Sequence, residues 1–211
     1  MNKEINIVVI GLGQIGSYLL KELNNKKKDI LNKTGKKINV VAISAKNKNK
    51  KRTFKINKKI FYSNPLEIIK KKKIHILFEA IGLSDGISKK VVEMAIKNKI
   101  HVITPNKALI AKHGDYLSKL AEKNKVNLEF EASVGGGIPI LRTIKEGLAT
   151  NKISKVYGIL NGTSNYILSE MEITKNSFED VLKKAQSLGY AEPGNPKLDL
   201  NGYDALAKVK I

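Results

Sequence analysis

Around residue 200 the chain gathers three carboxylates and a lysine, in Gly189-Tyr190-Ala191-Glu192 followed by Asp199-Leu200-Asn201-Gly202-Tyr203-Asp204-Ala205-Leu206-Ala207-Lys208. Asp204 and Lys208 are four residues apart. On a helix they would lie on one face, one turn apart. A carboxylate fixed beside an ammonium is a proton-transfer pair for a small polar substrate. The same spacing also describes a plain surface ion pair, and Asn201 with Asp204 has the form of a weak capping box.

The opposite end of the chain carries a phosphate-binding pattern, Gly11-Leu12-Gly13-Gln14-Ile15-Gly16. It follows the apolar run Ile5 to Ile10 directly and opens a helical pattern, the context in which G-x-G-x-x-G is informative. Gly11 allows the tight turn, Gly13 lets backbone approach a pyrophosphate, and Gly16 lets helix and strand pack closely. The unpaired amides of the helix start would face the phosphates. A second apolar run ends at Ile43-Ser44-Ala45-Lys46 without the Asp or Glu that accepts from ribose hydroxyls. Ser44 and Lys46 suit a 2′-phosphate, which favours NADP over NAD, although any single lysine here can also be background.

Alternating elements must position these groups. Buried strands are expected at Ile5 to Ile10, Ile38 to Ile43, Ile74 to Ala80, His101 to Ile103 and Val126 to Phe130. Helices are expected at Gln14 to Asn25, with Ile15, Tyr18, Leu19 and Leu23 on one side, and from Pro65 to about Lys73 behind an Asn64 cap. Further helices are expected at Ser84 to Asn98 and at Asn106 to Lys123, the latter as one or two helices broken near Gly114. Lys46 to Lys59 has no clear periodicity and reads as a surface excursion. This order predicts an α/β, doubly wound parallel sheet of Rossmann type. After Phe130 come the loop Gly135-Gly136-Gly137, a helix to Ala149, a strand Ile153 to Leu160, and helices at Ser164 to Met171 and Phe178 to Leu188. The division is residues 1–133 for cofactor binding and 134–211 for a second, α+β domain.

Composition excludes several classes. There is no cysteine, hence no disulfide, thiolate catalysis or cysteine-ligated zinc. His75, His101 and His113 have no ligand spacing. No apolar run is long enough to span a membrane, and the N-terminal run is too short for a signal peptide, so a cytoplasmic location is expected. The formal charge of +20 invites a nucleic-acid reading. However, the lysines are scattered over the whole length, aromatics are not interleaved with them, and only Arg52 and Arg142 are arginine. A solvated lysine surface is the expectation, with neither nucleic acid nor membrane as partner.

Taken together, the motifs resemble homoserine dehydrogenase. The resemblance rests on the glycine turn at 11–16, Thr104-Pro105-Asn106-Lys107-Ala108-Leu109, and Phe130-Glu131-Ala132-Ser133-Val134-Gly135-Gly136-Gly137-Ile138-Pro139. It also rests on Tyr157-Gly158-Ile159-Leu160-Asn161-Gly162-Thr163-Ser164-Asn165-Tyr166-Ile167-Leu168 and the 189–208 segment, in the family's order. It implies reversible reduction of L-aspartate 4-semialdehyde to L-homoserine with NAD(P)H, on the route to threonine and methionine. It implies Lys208 as proton donor, with Asp204, Asp199 and Glu192 binding the amino acid or orienting that lysine. Lys107 would lie near nicotinamide and substrate, Thr104 at the cofactor, and Asn161, Gly162 and Thr163 in a turn that lines the site and touches the cofactor. Glu131, Val134, Gly136 and Ile138 would hold a monovalent cation such as sodium, largely by main-chain oxygens. A homodimer is implied as well. The loop Glu192 to Pro196 is one residue longer than the commonest family form.

Hydride delivery to an aldehyde leaves an alkoxide that needs a proton, and a lysine ammonium can supply one. Only Val209, Lys210 and Ile211 follow Lys208. The resemblance implies further strands and helices beyond that lysine, so 134–211 would be an incomplete α+β substrate domain. The chain is therefore expected to be a truncated product, a gene fragment or one piece of a longer polypeptide, binding NADP(H) weakly with little activity alone. Three alternatives stand beside this: a cofactor-binding remnant without catalysis, a charge-driven nucleic-acid binder, and another Rossmann dehydrogenase acting on a related amino-aldehyde.

Overall fold

The computed structural model describes residues 4–50, 52, 56–191 and 197–211. The chain divides into two compact units, one ending at Thr143 and the other running from Ile144 to Ile211.

The first unit is built on a six-stranded sheet in the order β3-β2-β1-β4-β5-β6, every neighbouring pair parallel. The strands are β1 (Glu4–Ile10), β2 (Lys37–Ser44), β3 (Phe61–Tyr62), β4 (Ile76–Glu79), β5 (His101–Ile103) and β6 (Leu128–Glu129). Parallel strands need crossovers. Among the described residues, helices supply these everywhere except between β2 and β3: α1 (Gln14–Asn25), α2 (Lys27–Thr34), α3 (Pro65–Lys71), α4 (Ile87–Lys97) and α5 (Lys107–Asn124). Strand order reverses between β1 and β4, where Ile10 pairs with Glu79. In open sheets of this kind the crevice at that reversal is where ligands bind.

The core explains the apolar runs. Val8, Val9, Ile10, Ala42, Leu77 and Val102 are buried in the sheet, while Val91, Val92, Ala95, Ile96, Leu109 and Leu117 cover it from α4 and α5. The Asn64 side chain accepts from the Leu66 amide with Pro65 at the first helical position, the capping arrangement expected there.

Several expectations are corrected. Helix α1 turns Gly16 and Ser17 inward, and leaves Ile15 and Tyr18 exposed. The reason is the backbone contact at Gly16, which fixes the helix's rotation more tightly than its apolar residues do. Helix α5 is unbroken through Gly114, because burial of Leu109, Ile110, Leu117 and Ala121 outweighs the roughly 1 kcal/mol that a helical glycine costs. The 46–59 excursion ends in regular structure: a 3-10 turn, Lys58–Ile60, leads into β3.

At the end of the first unit, one α turn, α6 (Ile140–Arg142), runs into a π-helical turn (Thr143–Gly147) instead of a regular helix to Ala149. In the second unit Ile153 to Leu160 is not a paired strand. Its apolar side chains Ile153, Val156, Tyr157 and Ile159 are exposed, and among the described residues no strand offers it a ladder. The unit is otherwise helical, with α7 (Gly162–Thr174), α8 (Phe178–Ser187), α9 (Lys197–Leu200) and α10 (Tyr203–Lys210). Its small core is Ile167, Val181, Ala185 and Ala191, flanked by Met171, Leu182 and Leu200. The rings of Tyr166 and Tyr190 stack at 4.6 Å. Among the described residues no helix is long and apolar enough to cross a membrane.

Candidate active site

The glycine turn has the geometry a dinucleotide requires. Gly11 has φ +94°, and a Cβ there would stand 2.2 Å from the Ala80 carbonyl oxygen, so only glycine fits between the ends of β1 and β4. A Cβ on Gly16 would stand 1.9 Å from the Gly11 carbonyl oxygen. Gly13 differs: a Cβ there would meet nothing within 4 Å, and no side chain caps the start of α1. Open space beside uncapped helix amides fits a pyrophosphate. Gln14 and Ile15 are exposed in that first turn, while Leu12 is buried beneath it.

Ser44 ends β2 beside this turn, its carbonyl accepting from the Gly11 amide at 2.9 Å, but its side chain is only 1% exposed. Lys46 is exposed. Reading the sequence left Arg52 out of the site, yet its Nε donates to the Leu12 carbonyl at 3.4 Å, and its Nη2 donates to the Asn47 carbonyl at 2.8 Å. The guanidinium thereby ties the segment after β2 to the glycine turn. Lys48, Lys50, Lys58 and Lys59 line a hollow with it.

A second unpredicted residue is Glu79, the last residue of β4 and fully buried. The Thr104 hydroxyl donates to Glu79 Oε2 at 2.6 Å. Oε1 accepts from the Ile81 amide at 2.8 Å and from Asn106 Nδ2 at 3.3 Å. Asn106 Nδ2 also reaches the Leu83 carbonyl, and Asn106 Oδ1 caps α5 by accepting from the Leu109 amide at 3.1 Å. This network fixes the loop that carries Thr104 and delivers Lys107 as the first residue of α5. The available signal was a carboxylate closing an otherwise apolar strand, since buried charges occur where they are satisfied.

In the second unit the predicted carboxylates and lysine do meet. Lys208 Nζ lies 2.9 Å from Asp204 Oδ2 and donates to the Leu160 carbonyl at 2.8 Å. Their side chains are 19% and 11% exposed, so this is not a solvated surface pair. Asn161 stands between the acids. Its Nδ2 donates to Asp199 Oδ1 at 2.8 Å and to Asp204 Oδ2 at 3.0 Å, while its Oδ1 caps α7 by accepting from the Ser164 amide. Thr163 Oγ1 donates to the Tyr190 carbonyl at 2.5 Å and lies 3.5 Å from Asp199 Oδ2. Gly162 opens α7 and is exposed. Glu192 lies outside the described residues.

The loop expected to hold a cation is tightly folded. The Glu131 carbonyl accepts from the amides of Val134 and Gly135, and the Ile138 carbonyl accepts from Ile140. The Glu131 carboxylate accepts from the Leu141 amide at 2.9 Å and the Arg142 amide at 2.7 Å, which caps α6. Among the described residues no three His, Cys, Asp or Glu side chains group as metal ligands.

A doubly wound sheet with an open glycine turn at its reversal defines the class: a dinucleotide-binding dehydrogenase domain joined to a second, helical unit. Comparison with known proteins narrows this. The family profile described as "Homoserine dehydrogenase, NAD binding domain" matches residues 11–131, and that of "Homoserine dehydrogenase" matches 139–211. The chain belongs to the homoserine dehydrogenase family. It is 41% identical to the homoserine dehydrogenase of Neisseria gonorrhoeae over 209 residues, covering 99% of this chain and 47% of that protein. A crystal structure of S. aureus homoserine dehydrogenase superposes with a TM-score of 0.84 at 39% identity, covering 99% of this chain and 48% of that one. A hyperthermophilic archaeal homoserine dehydrogenase solved with NADPH shares the fold, with a TM-score of 0.77 at 24% identity over 98% of this chain and 68% of that one. The chain spans about half the length of the curated relatives it matches.

Proposed function

We propose that this chain forms the cofactor-binding part and the proton-donating part of an enzyme that reversibly reduces L-aspartate 4-semialdehyde to L-homoserine. The observation that carries this reading is the sequestered Lys208-Asp204-Asp199 cluster in a chain that also holds the glycine turn. A nicotinamide cofactor, when bound, supplies the hydride; the chain supplies position, charge and a proton. Two N–H groups of the Lys208 ammonium are engaged by Asp204 and Leu160 among the described residues, and the third would reach the substrate's carbonyl oxygen. Asp204 keeps the ammonium aimed. Asp199, with Glu192, would take the substrate's α-ammonium, and Gly162 and Thr163 would shape the floor beneath it. In the first unit Thr104 and Lys107 would flank the nicotinamide. Ser44 would sit beneath the adenosine ribose.

NADP is preferred over NAD in this reading. Lys46, Lys48, Lys50 and Arg52 follow the end of β2, with no carboxylate there to accept from a ribose 2′-hydroxyl. A monovalent cation such as sodium would take the remaining lone pairs of the main-chain oxygens of Glu131, Val134, Gly136 and Ile138. A homodimer and a cytoplasmic location complete the proposal.

The test is NADPH consumption dependent on L-aspartate 4-semialdehyde by the gene product purified from its own cells, with Lys208→Ala beside it. Loss of a general acid should lower turnover about 10²-fold or more. Equal turnover by the variant would reject the assigned role of Lys208, and no semialdehyde-dependent consumption would reject the reaction.

A further inference from the structure

We infer that Asn161 is a positioning residue whose amide holds Asp199 and Asp204 together and so aligns Lys208; the inference rests on the reading of Lys208 as proton donor.

The geometry gives one buried amide two separable tasks. Asn161 is 7% exposed. Its oxygen accepts from the Ser164 amide at 2.8 Å, the ordinary duty of a helix cap. Its nitrogen has two hydrogens, and they go to two different carboxylates, Asp199 Oδ1 at 2.8 Å and Asp204 Oδ2 at 3.0 Å. Capping needs only the oxygen. Serine or aspartate would cap equally well, and neither could donate to both acids.

The carboxylates need that donor. Asp199 comes from α9 and Asp204 from α10, and two like charges drawn to one nitrogen repel. Of these two carboxylates the Lys208 ammonium pairs with Asp204, and it meets the same oxygen that Asn161 holds. Asp204 Oδ2 is therefore fixed from two sides, by the amide of α7's cap and by the ammonium one turn along α10. Without the amide, Asp204 Oδ2 would lose one of the contacts that hold it, and the place of Lys208 between that oxygen and the Leu160 carbonyl would be less firmly set. The preceding residue supplies that carbonyl, so Leu160 and Asn161 together set both ends of the lysine's geometry.

Two substitutions separate the tasks, and melting of the 211-residue chain reads them without needing turnover. Asn161→Ser retains a cap and removes the bridge. Asn161→Asp retains a cap and adds a third carboxylate beside Asp199 and Asp204. Like-charge contact raises that carboxylate's folded pKa above its unfolded value, so the penalty is fully present at high pH and disappears as the cluster takes up a proton on acidification. Asn161→Asp should melt well below Asn161→Ser at about pH 8, and the gap should close towards about pH 4. In the active gene product, Asn161→Asp should lower kcat about tenfold or more while the KM for NADPH stays within about twofold.

Equal melting of the two variants at about pH 8, or a gap that does not change with pH, would leave Asn161 as a cap alone and overturn the inference. Failure of both variants to fold at any pH would overturn it too, since Asn161 would then hold the fold rather than the lysine. A chain that shows the closing gap but never consumes NADPH with semialdehyde would keep the bridge and reject the reaction.

Discussion

Gly13 and Gly16 stand three residues apart in one turn, and the structure assigns them opposite sensitivities. A methyl on Gly13 meets nothing within 4 Å, and the backbone there, φ −75° and ψ −158°, is open to any L residue. Gly13→Ala should gain about 0.4–1 kcal/mol from a less flexible unfolded chain. It should lose roughly 0.5–1 kcal/mol because alanine is a poorer helix cap than glycine. The two nearly cancel, so the melting temperature should move by no more than about 2–4 °C. The methyl does occupy the space through which a pyrophosphate would approach. NADPH affinity should fall by about tenfold or more, equivalent to about 1.4 kcal/mol. Gly16→Ala reverses the pattern, because its methyl would stand 1.9 Å from a backbone oxygen that cannot rotate away. Overpacking against backbone should cost about 3 kcal/mol, lowering the melting temperature by roughly 6–12 °C. Circular-dichroism melts and NADPH fluorescence titrations of both variants provide the assay. If Gly13→Ala binds NADPH like the parent, or if Gly16→Ala melts with it, the assignment of the turn is wrong.

Glu79→Ala would leave the Thr104 hydroxyl, the Ile81 amide and an Asn106 N–H without their buried acceptor, and should destabilise by about 3–5 kcal/mol, whereas Glu79→Gln, which keeps one oxygen, should cost about 1–2 kcal/mol; denaturant unfolding of the three proteins orders them. Arg52→Ala should weaken NADPH binding about tenfold, measured by fluorescence titration, because it removes a cation that ties the segment after β2 to the glycine turn. Ser177→Ala removes the side chain that accepts from the Asp180 amide at the start of α8 and should cost about 1 kcal/mol, a fall of roughly 2–4 °C in the melt.

What the sequence disclosed depended on how local the cause was. The glycine turn was legible because its three glycines fall within one strand-turn-helix unit, where Gly16 packs on the Gly11 carbonyl; the Ala80 contact that requires Gly11 comes from across the sheet. The Asn64-Pro65 cap was legible for the same reason. Helix α2 was missed because its eight residues, Lys27–Thr34, include only Ile30 and Leu31 as apolar side chains and bury none. An element without an apolar stripe has no periodic signal. The run Ile153 to Leu160 misled for the opposite reason: its β-branched residues suit a strand, but a ladder needs a partner that no local pattern can supply.

The candidate site divides along the same line. Asp204 and Lys208 share a helical face, so their meeting could be read from four-residue spacing, and the structure pairs them at 2.9 Å. Asp199 joins them through Asn161, which is 38 residues from one acid and 43 from the other. Glu79 reaches Thr104 and Asn106 across 25 and 27 residues. In both networks the residues that could act chemically announce themselves by type, while the residues that hold them are ordinary caps and strand ends until the fold closes. A mutation series chosen from sequence patterns alone would thus target Lys107, Asp204 and Lys208 and pass over Glu79 and Asn161. Substitution at those two should disturb several of the chosen groups at once, because each binds more than one of them or of their neighbours. Double-mutant cycles between Asn161 and Asp199, and between Glu79 and Thr104, should accordingly show coupling.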